Sequence, residues 1–170
     1  LYRRHASDTT AFFESGDQAS ADVMLAFVAL GMPTVSPQQP VFVNHTRHLL
    51  TIDPILAPDR CVVEVLEDVA ADPETVACLR RLKRLHYRIA LDDFVYTDEL
   101  VPLIELADYV KLDLLALGAG RFHEQMALLA RFDVRIVAEK IESEAEFRLC
   151  RKMGCELFQG YYLRRPEVLS

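Results

Sequence analysis

Six short apolar runs recur along this chain, beginning near residues 41, 61, 88, 109, 135 and 157, and each ends in polar or charged residues. They read FVNH, VVEVLE, IALDDF, VKLD, IVAEKIE and LFQGYY. Runs of this length and composition are strand-like. A period of roughly 20 to 27 residues leaves room for one helix after each strand, the spacing of repeated βα units. Strands joined in this way lie parallel, with helices covering both faces of the sheet. Six units fall short of a closed eight-unit barrel of about 250 residues. Two α/β architectures therefore fit: an open doubly wound sheet, or a (β/α) barrel of the TIM type whose first strands lie outside this chain.

The intervening segments carry helical signals. Residues 21–30 (ADVMLAFVAL) are apolar and stop at Gly31, a C-terminal cap signal. Asp72, Pro73 and Glu74 open the next helix, with Asp72 as N-cap and Pro73 in the first turn. Short helices are expected over residues 100–107 and 123–132. Ser143 and Glu146 form the pattern of a capping box, and that helix closes on Gly154.

With 170 residues, 51% of them apolar, the chain can bury one substantial core, so a single domain over residues 1–170 is expected. The net charge of −7 argues against a nucleic-acid polymer as partner, because such binding needs a basic face. No apolar run reaches the roughly 18 residues of a spanning helix, and no signal peptide is visible. The cysteines (Cys61, Cys78, Cys150, Cys155) lack paired metal spacing and read as small core residues in a reducing cytoplasm.

The strand ends carry the chemistry. Residues i and i+2 share a face of a strand. Val62 thus pairs with Glu64, Ala90 with Asp92, Lys111 with Asp113, Val137 with Glu139 and Leu157 with Gln159. The polar member always comes last, at the C-terminal end where parallel sheets and barrels build their sites. Asn44, Glu64, Asp92, Asp93 and Glu139 are hard oxygen donors, which suit Mg²⁺, Mn²⁺ or Ca²⁺. Several carboxylates facing one point repel unless a cation joins them; Lys111 supplies part of that charge, and a divalent ion would supply more. Any single acidic residue at a strand end is more often a helix N-cap or a surface ion pair. Six successive strands doing the same point to a shared site.

At these residues the chain resembles the EAL family, barrels that hydrolyse the bacterial messenger cyclic di-GMP to linear pGpG with Mg²⁺ or Mn²⁺. The resemblance rests on Glu64-Val-Leu-Glu67 (like E-x-T-E), Leu91-Asp-Asp-Phe94 (D-D-F), Val110-Lys-Leu-Asp113 (K-x-D), Val137-Ala-Glu139-Lys-Ile-Glu142 (A-E-G-V-E), and Phe158-Gln-Gly-Tyr161 followed by Pro166. It implies that Asn44, Glu64 and Asp92 ligate a metal and that Asp93 serves a second one. Lys111 and Glu139 would hold or activate the attacking water. Gln159 and Asp113 would lie at the ligand site, Glu67 would anchor the loop after Asp93, and Arg3 would contact a ligand phosphate.

Four departures bear on activity. Leu1 matches the last letter of the E-A-L signature, so its glutamate would lie two positions upstream. The family's D-D-F-G-T-G loop reads Asp92-Asp-Phe-Val-Tyr-Thr97, without glycines. Lys140 replaces the glycine after Glu139. The P-x-x-F-I segment that contacts the guanine bases is absent between Arg3 and Asn44. Together these resemble the EAL-like half of EAL–HDOD regulatory proteins. The expectation is a degenerate module in cyclic di-GMP signalling that relays a signal to a protein partner or an adjacent regulatory domain, without catalysis. The alternative is an active metal-dependent phosphodiesterase, favoured by retention of the acidic set. An unrelated open-sheet protein is a third reading; strands out of sequential order would mark it.

Overall fold

The structure, a computed structural model, describes residues 39–163. Arg3, Pro166 and the helix expected over residues 21–30 lie outside the described residues. Six strands form one parallel sheet: β1 Val41–His45, β2 Cys61–Val65, β3 Arg88–Leu91, β4 Tyr109–Asp113, β5 Arg135–Glu139 and β6 Leu157–Phe158. Their spatial order is their sequence order, and every neighbouring pair is parallel. A doubly wound sheet reverses its strand order at a switch point. Sequential order without reversal is the arc of a TIM-type barrel, and the open-sheet alternatives fall.

Four α-helices follow the strands: α1 Pro73–Arg84, α2 Val101–Ile104, α3 Leu114–Leu129 and α4 Glu144–Lys152. Asp72 caps α1, accepting the Thr75 amide at 2.8 Å. Ser143 and Glu146 make the reciprocal capping box of α4. Two helices differ from expectation. The segment after β3 is a 3-10 turn, Asp98–Leu100, running into the single turn of α2, rather than a helix over 100–107. Helix α3 begins at Leu114, far ahead of residue 123, and ends at Leu129. Asp113 caps its first turn through Ala116 N at 3.0 Å, and Gly118 (φ 69°, ψ 160°) kinks it before it continues. The kink hides the first turn from a reading based on helical period.

The sheet separates two apolar layers. On the helix side, Val63, Val65, Ile89, Leu91, Val110, Leu112 and Ala138 pack with Leu79, Leu82, Phe122 and Leu129. On the inner side, Val62, Ala90, Tyr109 and Val137 form a separate cluster joined by Phe42 and Leu157. Strands β2 and β4 are buried along their whole length, as covered parallel strands require. Cys61, Cys150 and Cys155 are buried free thiols, and burial pushes those of Cys61 and Cys155 up to about 12, as inert core residues. Gly160 passes so close to Ile141 that an added Cβ would lie 2.2 Å from the Ile141 carbonyl oxygen. This fixes the end of β6 against the turn after β5.

Among the described residues, no helix is long and apolar enough to cross a membrane.

Candidate functional site at the C-terminal mouth of the sheet

The inner apolar cluster has a polar storey above it. Each of its strand residues is followed two positions later by a residue singled out from the sequence: Phe42 by Asn44, Val62 by Glu64, Ala90 by Asp92, Tyr109 by Lys111, Val137 by Glu139 and Leu157 by Gln159. The strands are staggered. Asn44 stands level with Glu64, but Glu64 stands level with Ala90, and Asp113 with Glu139. Such two-residue steps accompany the tilt of barrel strands. They bring side chains from four strands to one point.

That point is Lys111 Nζ. It contacts Glu64 Oε1, lies 2.7 Å from Glu139 Oε1 and donates to Asp92 Oδ1 at 3.1 Å. All four side chains are buried. Burial opposes the charge on Lys111, but Glu64, Glu139 and Asp92 outweigh it and hold the ammonium above the ordinary lysine range. Burial pushes Glu64 up to about 7, with Lys111 pulling it down and Asp92 adding to the rise. Burial also raises Glu139, against the pull of Lys111. One ammonium among three carboxylates leaves the cluster short of positive charge. Glu139 Oε2 is buried without a hydrogen-bond partner among the described residues. Lys111 also stands 5.8 Å from the Phe42 ring centroid.

A second group forms the lip. Glu67, Asp92 and Asp93 each offer an oxygen within 4.8 Å of the others. Lys140 Nζ contacts Asp113 Oδ2 and lies 3.8 Å from Asp93 Oδ1. Asp113 is thus a helix cap and an ion-pair partner at once. Asp93 and Lys140 both have left-handed backbones, at φ 42° and 55°. Lys140 therefore keeps a conformation that glycine adopts more readily.

The loop after Asp93 corrects the concern raised by its missing glycines. Val95 and Thr97, which stand where the resemblance puts glycine, do not take positive φ, so neither needs to be glycine. Tyr96 N donates to Gln125 Oε1 of α3 at 2.6 Å, and its hydroxyl reaches Asp98 at 2.8 Å. Arg131 contacts that hydroxyl and lies over the Tyr96 ring at 5.4 Å. Sequence reading missed Gln125, a buried polar residue on a helix whose start was itself hidden by the kink.

The remaining expected residues sit less centrally. Asn44 is half-buried on β1. Gln159 is exposed; its backbone joins Ala138 O at 2.9 Å and Ile141 N at 3.1 Å, tying β6 into the mouth. Glu67 is exposed but stands with the lip carboxylates, nearer to the acidic group than a loop anchor alone would require. The spacing Glu64-x-x-Glu67 is the only signal of this in the sequence.

The donors are all oxygens, and Glu139 Oε2 lacks a hydrogen-bond partner among the described residues. A hard divalent ion such as Mg²⁺ or Mn²⁺ fits this chemistry. It would draw on Asn44, Glu64 and Asp92, with Asp93 and Glu67 beside them.

Comparison with known proteins agrees with this geometry. The family described as EAL domain matches residues 9–166. The Bacillus subtilis (strain 168) protein YuxH is 29% identical over 181 residues, covering 100% of this chain and 44% of YuxH. The cyclic di-GMP phosphodiesterase CdgJ of Vibrio cholerae serotype O1 is 28% identical over 175 residues, covering 100% of this chain and 40% of CdgJ. The chain thus spans less than half the length of these relatives. Among solved structures, the Bacillus subtilis YkuI protein in complex with substrate cyclic di-GMP and calcium superposes with a TM-score of 0.72 at 20% identity, over 94% of this chain and 47% of that one. The chain belongs to the EAL domain family.

Proposed function

We propose that residues 1–170 belong to one EAL domain that binds cyclic di-GMP and hydrolyses one of its phosphodiester bonds, releasing linear pGpG. The observation that carries this reading is Lys111 gripped by Glu64, Asp92 and Glu139, with Glu139 Oε2 buried and without a hydrogen-bond partner among the described residues. A decayed site has no reason to keep three buried carboxylates around one ammonium, since each is costly to desolvate. CdgJ, similar along the whole of this chain, supports the same substrate class.

In this reading Asn44, Glu64 and Asp92 hold Mg²⁺ or Mn²⁺, and Asp93 stands on the side where a second ion would bind. Such an ion, when bound, lowers the pKa of water and screens phosphate charge. Lys111 and Glu139 orient the attacking water, and Glu139 accepts its proton as the water oxygen adds to phosphorus and the ribose 3′-oxygen leaves. The raised pKa of Glu139 suits a group that must take up a proton. Gln159 and Asp113 face the ligand, and Arg3 has the phosphate contact that the family resemblance implies. The site belongs to a cytoplasmic signalling protein in which an adjacent regulatory domain or protein partner reads or sets its state.

The test is Mg²⁺- or Mn²⁺-dependent release of pGpG by the protein with its natural N-terminal sequence. Glu139→Gln is expected to lower the rate by about 10²-fold or more. An unchanged rate in that variant would defeat the mechanism.

A second reading, a silent regulatory module, is favoured by Lys140, whose ammonium stands on Asp113 and near Asp93 at the lip. Tight cyclic di-GMP binding without turnover, or protein binding without either, would support it.

A further inference from the structure

The proposed mechanism leaves one cation of the mouth without a role. Lys111 is enclosed by Glu64, Asp92 and Glu139, whereas Lys140 meets a different pair of carboxylates, Asp113 and Asp93. Its Nζ contacts Asp113 Oδ2 and lies 3.8 Å from Asp93 Oδ1. Glu67, Asp92 and Asp93 offer oxygens within 4.8 Å of one another, close enough to share a divalent ion. The neighbouring Glu139 Oε2 is 97% buried by residue and lacks a hydrogen-bond partner among the described residues. An ammonium fixed here repels any divalent ion arriving on the Asp93 side, and does so with a full unit charge. The lysine stem gives it reach, and its 42% exposed side chain keeps it partly hydrated. Its left-handed backbone carries a cost that glycine would not incur.

We propose that Lys140 is a tethered counter-ion: its ammonium takes the position on the Asp93–Asp113 side of the mouth where a second divalent ion would bind, so this chain holds one such ion and not two. The inference rests on the metal-binding reading above. It makes the number of bound ions a property of one side chain.

Mn²⁺ titration of the full chain, followed by electron paramagnetic resonance, tests it without recourse to activity. The wild type is expected to bind one ion. Lys140→Gly is expected to bind two, with the line broadening of a coupled pair. Adding Asp93→Asn to that variant is expected to return the count to one. Lys140→Gln, which keeps a polar side chain and the backbone demand but drops the charge, is expected to follow Lys140→Gly. Thermal unfolding of each variant establishes that it is folded. Two ions in the wild type, or one ion in both folded Lys140 variants, would overturn the tethered counter-ion and leave the metal-binding reading standing. No ion in the wild type would overturn both.

Discussion

The mouth of this barrel contains two lysines in two very different settings. Lys111 projects from the middle of a fully buried strand and meets carboxylates from three other strands. Lys140 sits just past the end of β5, with 42% of its side chain in solvent, and meets carboxylates of the lip. The chemistry of the contacts is the same. Their energetic weight is not, because desolvated charges depend on one another while exposed ones are screened by water and salt. The comparison separates a rigid electrostatic centre, set by strand register, from a rim whose charge one substitution can change without disturbing the sheet.

The sharpest way to break that comparison is to remove each ammonium in turn. Lys111→Met leaves three buried carboxylates without a cation and is expected to cost about 3–5 kcal/mol. Urea denaturation at pH 7.5 without divalent ions measures it. An equal loss in Lys140→Met would erase the distinction between centre and rim.

The pH dependence of stability sharpens it next. Glu64 has a folded-state pKa of about 7 against an ordinary 4.5. Between these values the folded protein keeps a proton that the unfolded chain has released. Stability therefore falls as pH rises from about 4.5 to about 7, and the loss is complete above that. The raised pKa of Glu139 adds a contribution of the same sign. Unfolding midpoints in EDTA from pH 4.5 to 8 should show the decline, and Glu64→Gln should flatten part of it. Mn²⁺ should restore more stability at pH 8 than at pH 5.

A smaller effect tests how the rim is held. Gln125→Ala removes the acceptor of the Tyr96 amide and is expected to cost about 1–3 kcal/mol. Hydrogen exchange at Tyr96 should accelerate while amides of β4 stay protected. Acceleration spread through β4 would mean that rim and centre open as one unit.

The smallest effect is at Lys140 itself. Lys140→Gly relieves a left-handed backbone by about 1 kcal/mol and gives up a screened ion pair of about 0–1 kcal/mol. The net change in stability is expected to lie within about 1 kcal/mol of zero, read from the same urea curves.

What was legible in the sequence follows the same division. The beginnings of all six strands were, because a buried parallel strand is a compact apolar run ending in polar residues. The caps at Asp72 and Ser143 were too, since each is a local pattern complete within four residues. The start of α3 was not: Asp113 was read as a ligand-side residue, and its service as the cap of a kinked first turn left no periodic trace. The face shared by the polar residues was legible from alternation alone. Which of them meet was not, because that depends on the two-residue steps between β2 and β3 and between β4 and β5. The missing glycines of the β3 loop misled for a related reason. Glycine marks permission for an unusual backbone, and only a structure shows whether Val95 and Thr97 use it.

The alternation of β4 has one more consequence. Tyr109 and Lys111 point into the barrel while Val110 and Leu112 point into the oily layer beneath the helices. A slip of this strand by a single residue would drive an ammonium into that layer and leave Glu64, Asp92 and Glu139 facing a leucine or a valine. Misregistered assemblies are thus penalised by the same charged groups that meet at the mouth. The charged centre proofreads the pairing of the sheet, and any route by which this chain evolves a neutral mouth must find another way to keep its strands in step.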